Sequence, residues 1–149
     1  MSLEEQVMTE MKAAMRAKDP IKLEALRAIK SGILMAKTES SAKEGLVEEA
    51  ELKLLQKLVK QRKDSAAIYL EQGREDLAQP ELDQAAVIEQ FLPEQLSEAE
   101  IEKKIVGIIA QTGAAGMKDM GKVMGLASEA LAGKADGKTI SMIVKKKLG

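Results

Sequence analysis

Apolar side chains recur three and four residues apart from Leu3 to Leu148, and no stretch alternates with period two over a useful length. The first spacing stacks side chains on one face of an α-helix, whereas a half-buried strand needs the second. An all-α fold is therefore expected. Leu3, Val7, Met11 and Met15 mark the first helix, which Asp19-Pro20 ends because proline restricts the residue before it and suits the first turn of the next helix. Leu23, Leu26, Ile29, Ile33 and Leu34 form the inner side of a second helix. Residues 38–45 are polar, small and aperiodic and are expected to form a mobile loop.

The longest periodic segment runs from about Val47 to Gln72, with Leu55, Val59, Ala66, Tyr69 and Leu70 inward and Arg62 on the same stripe. Gly73 is its expected stop. A further helix covers residues 74–91, which Pro80 should start or kink because its ring cannot complete the interior ladder. Leu92-Pro93-Glu94-Gln95-Leu96 then breaks the pattern and divides the chain. Residues 1–92 are expected to form an antiparallel helical bundle, and residues 97–149 a small three-helix domain. Ser97-Glu98-Ala99-Glu100 reads as a capping box, in which serine accepts an amide hydrogen bond while the glutamate reaches back. The helix it opens carries Ile101, Ile105, Ile108 and Ile109 and ends near Gly113. Met120, Val123, Met124, Ala127 and Leu131 mark the next, stopped by Gly133; Asp136 caps a last helix burying Ile140, Ile143, Val144 and Leu148.

Residue chemistry narrows the functions. The chain has no cysteine and no histidine. That excludes disulfides, thiolate zinc sites and cysteine nucleophiles, and removes the usual proton shuttle and commonest metal ligand. Glu71, Glu75 and Asp76 make a poor acid–base set, since position and tuned pKa make a catalyst, not carboxylate identity. No catalytic residue, metal or cofactor is expected. The N-terminus Met1-Ser2-Leu3-Glu4-Glu5 is acidic without an apolar stretch, and no apolar run approaches the ~20 residues that cross a bilayer. A cytoplasmic protein without membrane contact is the expectation.

Charge is unevenly spread. Residues 1–96 hold 14 Lys+Arg against 18 Asp+Glu; residues 97–149 hold 9 against 6, and all nine are lysines. Lys118, Lys122, Lys134 and Lys138 fall near expected helix starts, where exposed amides and the positive dipole end suit phosphate oxygens. Lys145, Lys146 and Lys147 extend the positive surface. Tyr69 and Phe91, the chain's aromatics, sit at core spacing, so binding of single strands by base stacking is not expected. The Lys53, Lys57 and Lys60 stripe reads as a solvated helix face. Arg27, Arg62 and Arg74 are expected to pair with carboxylates inside the bundle, since unpaired buried charge is costly. Gly121 and Gly125 are expected to let another helix cross closely, with approach to a nucleic-acid backbone as the alternative. Two segments imitate a phosphate-binding loop. Residues 116–123 put Val123 where a hydroxyl belongs, residues 133–139 are one position short, and neither follows a strand.

Five strings occur in order: Leu26-Arg27-Ala28-Ile29-Lys30-Ser31, Val59-Lys60-Gln61-Arg62-Lys63-Asp64-Ser65, Gly73-Arg74-Glu75-Asp76-Leu77-Ala78, Phe91-Leu92-Pro93-Glu94-Gln95-Leu96 and Lys118-Asp119-Met120-Gly121-Lys122-Val123-Met124. Together they resemble the YqeY family over essentially the whole chain, with Pro80 departing from its usual form. The last third, notably Gly121-Lys122-Val123-Met124 and Gly133-Lys134-Ala135-Asp136-Gly137-Lys138, is similar to the tail domain of the B subunit of the tRNA-dependent aspartyl/glutamyl amidotransferase. A related module is appended to some glutaminyl-tRNA synthetases. The resemblance implies a tRNA-docking helical module, with Lys122, Lys134 and Lys138 as its RNA contacts; Lys118 and Lys145 join them as candidate nucleic-acid contacts on charge and position. It implies for Gly121 and Gly133 a tight turn or close backbone approach. The expected function is a non-catalytic adaptor binding tRNA or a tRNA-handling enzyme. The family's label of carbon–nitrogen ligase with glutamine as amido-N-donor reads as inherited from the multidomain enzyme. The alternatives are an accessory part of glutamine-dependent tRNA amidotransferase activity, and a protein-binding helical module served by methionine-rich faces.

Overall fold

The computed structural model describes residues 2–40 and 46–149. Among these it holds seven α-helices and no strand: α1 Leu3–Ala17, α2 Pro20–Ser40, α3 Glu48–Glu71, α4 Glu75–Glu89, α5 Glu98–Thr112, α6 Met120–Ala130 and α7 Gly137–Leu148. A short 3-10 helix, Met117–Asp119, leads into α6. The all-α expectation holds. The chain divides into two compact units, Met1–Leu92 and Pro93–Gly149.

In the first unit α1 packs on α2, α2 on α3 and α4, and α3 along α4. Its core is Val7, Ala14, Ala25, Leu26, Ile29, Ile33, Leu55, Val59, Ala85 and Ile88. Three residues expected inward are half-exposed: Met15, Leu34 and Leu70. Met15 follows from geometry, because a four-residue step turns ~400° and the stripe drifts ~40° at each repeat. By Met15 it has left the core, and Ala14 is buried instead. α2 runs on through Thr38 and Glu39, where a loop is expected from composition; residues 41–45 of the expected loop lie outside the described residues. α4 opens five residues before Pro80, which therefore does not start it. The amide that proline lacks would have bonded the carbonyl of Asp76, an exposed residue whose carbonyl water can reach.

The arginines depart from expectation as well. Arg62 donates from Nε to Oε1 of the buried Gln84 (3.0 Å) and from a terminal nitrogen to the Leu58 carbonyl (3.1 Å), and pairs with no carboxylate among the described residues. Arg74 does pair with a carboxylate, Asp76, through two 3.0 Å hydrogen bonds, but on the surface. Arg27 is exposed. Lys53 and Lys60 make exposed one-turn ion pairs with Glu49 and Asp64, as suits a solvated face.

The second unit closes α5, α6 and α7 around Ile101, Ile105, Val123, Ala127, Leu131, Ala135, Ile140, Ile143 and Val144. Its local signals act as read. Ser97 accepts from the Glu100 amide at 3.2 Å while the Glu100 carboxylate takes the Ser97 amide, and α5 ends on Gly113 at φ 67°. Asp136 accepts from the Thr139 amide at 2.8 Å and starts α7.

Candidate nucleic-acid interface

The lysine-bearing elements of the second unit touch one another: α6 packs on α7, and the 3-10 helix touches both. Lys118 sits on that 3-10 helix, and Lys122 one turn later in the first turn of α6. Lys134 lies in the connection from α6 to α7, and Lys138 in the first turn of α7. Lys145 is seven residues beyond Lys138, so both fall on one stripe, opposite Ile140, Ile143 and Val144. All five are exposed, and among the described residues none is in an ion pair.

Lys147 differs. It comes half a turn round from the Lys138 stripe and pairs with Glu102 of α5. That bond is the main reason the Glu102 carboxyl titrates below its ordinary range. Glu100 is lowered too, first by the Ser97 amide and then by the Ser97 hydroxyl. Asp119 accepts from the Ala115 amide at 3.0 Å, and Asp136 caps α7. Four of the six acids in residues 97–149 are thus engaged in caps, a turn and one ion pair, while the five lysines are left to solvent. The Asp136 cap also changes one expectation: the α7 N-terminus already holds a carboxylate, so Lys138 works there as a charge beside an occupied cap.

The two glycines separate. Gly133 is buried at φ 76°, and its carbonyl accepts from Gln95 Nε2 at 2.6 Å while the next carbonyl, of Lys134, accepts from the Leu96 amide at 3.0 Å. A side chain at that φ is strained, so Gly133 makes the tight turn that presents Lys134. Its carbonyl is turned onto the Gln95 amide. Gly121 is the reverse. A Cβ built on Gly121 or Gly125 meets nothing within 4 Å, so no helix crosses there and the packing expectation fails for both. Another helix does approach Gly32, where a Cβ would meet Leu54 of α3. Gly121 and Gly125 leave a stripe of the outer side of α6 without side chains, flanked on one edge by Lys122 and Glu129, which are both exposed.

Sequence reasoning passed over Lys103 and Lys104, which are exposed on α5. The run of nine lysines from Lys103 onward was the available signal. Open depressions on the first unit include one of about 360 Å³ lined by Ala14, Met15, Lys18, Asp19, Pro20 and Leu23, and one of about 290 Å³ beside Gln6, Thr9, Glu10, Gln90 and Phe91.

No helix among the described residues is long and apolar enough to cross a membrane. Two fungal proteins, both named altered inheritance of mitochondria protein 41, mitochondrial, are similar in sequence. The one from Lachancea thermotolerans is 34% identical over 104 residues, covering 68% of this chain and 55% of its own length. The one from Meyerozyma guilliermondii is 32% identical over 123 residues, covering 80% of this chain and 64% of its own. The chain thus spans between half and two thirds of the relatives it matches. A family model described as Yqey-like protein matches residues 4–148, and by that match over nearly its whole length the chain belongs to the YqeY family.

Proposed function

We propose that the chain is a helical adaptor that binds tRNA through the lysine face of residues 93–149. One observation carries the reading: Lys118, Lys122, Lys134, Lys138 and Lys145 stand exposed, with no ion pair among the described residues, on packed elements whose acids mostly serve caps and turns. Ammonium groups held out to solvent gain most from a polyanion, whose phosphates release counterions as they are neutralised. The resemblance of the last third to a tRNA-docking tail supplies the class of polyanion. The fungal relatives are mitochondrial by name, and that placement stays with them; for this chain the compartment we propose is the cytoplasm.

Titration of the full chain against total tRNA, followed by fluorescence anisotropy, tests this. Neutralising about five phosphates gives a log–log salt slope near −4, so affinity should fall by roughly two orders of magnitude between 50 and 200 mM salt. No binding at the low-salt end would end the proposal. Glu129 gives a second, opposite-signed check. It lies two turns beyond Lys122 on the exposed side of α6, where its carboxylate repels an approaching phosphate. Glu129→Gln should tighten binding about two- to threefold at low salt, with the gain fading as salt screens it. Unchanged or weaker binding would place the RNA off the α6 surface.

A further inference from the structure

We infer that this chain reads RNA by phosphate position and shape and not by base identity, so that its ligand class is folded, duplex-rich RNA of any sequence. The inference rests on the RNA reading above and goes beyond it to what the face discriminates.

The first support is the chemistry on offer. Residues 93–149 contain no arginine, asparagine, histidine or aromatic side chain. Sequence-specific RNA recognition splays out unpaired bases, stacks them on aromatic rings or guanidinium planes, and hydrogen-bonds their edges with planar, directional groups. Of the amide side chains here, Gln95 is engaged with the Gly133 and Pro93 carbonyls, which leaves Gln111. Lysine ammoniums are point charges with freely rotating donors, suited to phosphate and poor at telling bases apart. The first unit's aromatic rings and two of its four arginines are engaged within the unit itself. Phe91 packs against its core, Tyr69 is half-buried, Arg74 is closed into a fork with Asp76, and Arg62 is engaged with Gln84 and Leu58. Arg16 and Arg27 belong to a region with 14 basic against 18 acidic residues.

The second support is rigidity. Lys138 and Lys145 are held about 10 Å apart along α7 by two helical turns, and Lys122 is fixed at the start of α6, whose buried side packs on α7. Cations whose stems spring from fixed points on packed helices are best matched by phosphates that are themselves evenly spaced, as in a duplex. A flexible strand would lose conformational entropy to fit them. The bare surface at Gly121 and Gly125 agrees with this, since the A-form minor groove is wide and shallow and admits a low-relief helix face.

The test measures the full chain at one low salt concentration against two tRNAs of unrelated sequence, an RNA hairpin duplex of scrambled sequence, and unpaired oligouridylate of equal length. The two tRNAs and the duplex should agree within about threefold, and oligouridylate should bind at least tenfold more weakly. More than tenfold discrimination between the tRNAs overturns the inference while the RNA-binding proposal stands. Equal binding of the unpaired strand does the same. Failure to bind any of the four removes the proposal beneath, and this inference with it.

Discussion

Lys122→Glu, Lys134→Glu and Lys138→Glu combined should weaken tRNA binding by more than a hundredfold at low salt and leave folding intact or slightly improved. Each reversal removes a phosphate partner and adds a repulsive charge, so the face loses six charge units where the RNA would lie. The loss of three phosphate contacts alone reduces the salt slope by about 2 to 3. Stability is expected to move the other way. Among the described residues, none of the three lysines is in an ion pair whose loss would be felt. Lys122 and Lys138 occupy the first turns of α6 and α7, where a cation opposes the helix dipole and a carboxylate complements it by about 0.3–1 kcal/mol. Binding measured by anisotropy and melting followed by circular dichroism should therefore separate. A variant that binds tRNA within a few-fold of the parent would place the interface elsewhere. One that loses binding but keeps its protein partners would leave the tRNA reading standing against a purely protein-binding module.

The elements of this fold that could be read from the chain are those whose cause lies within a few residues. The Ser97–Glu100 box, the Gly113 stop and the Asp136 cap each need only a donor and acceptor three residues apart or a residue tolerant of positive φ, and each forms as read. What was misread depends on residues distant in sequence. Whether Gly121 and Gly125 face a neighbour is decided by where α5 and α7 pass, and they pass elsewhere. Arg62 was expected to seek a carboxylate; the register of α3 on α4 brings it the amide of Gln84, 22 residues on. Polar composition at residues 38–39 suggested a loop, yet α2 continues through both, because a solvated helix end tolerates polar residues as readily as a loop does. The candidate site was half legible for the same reason. Charge was countable, and Lys138 and Lys145 share a stripe by helical arithmetic. That Lys147 is taken by Glu102, and that Gly133 is turned inward onto Gln95, belong to tertiary contacts between α5, α7 and the connection before α7.

Arg62→Leu should destabilise the first unit by about 1–3 kcal/mol, and adding Gln84→Leu should restore part of that loss. Gln84 is 8% exposed and is the buried polar side chain of the described residues. Its Oε1 accepts a hydrogen bond from Arg62 Nε at 3.0 Å, and Arg62 also donates to the Leu58 carbonyl one turn back on α3. Leucine at position 62 deletes the donor and leaves an amide oxygen in the α3–α4 interface without its protein partner; water must be excluded or drawn in, and either is costly. The reverse single change, Gln84→Leu, should be milder, because Arg62 is only partly buried and its long stem lets the guanidinium reach solvent. With both groups apolar the interface has nothing left unsatisfied, so the pair should show a coupling of about 1 kcal/mol or more in a double-mutant cycle. Tyr69, the chain's one tyrosine, lies on α3, so its fluorescence during urea unfolding reports on the first unit. Midpoints should shift with little change in slope if stability alone has changed. Strict additivity of the two substitutions would show that the Arg62–Gln84 contact is incidental to how α3 seats on α4.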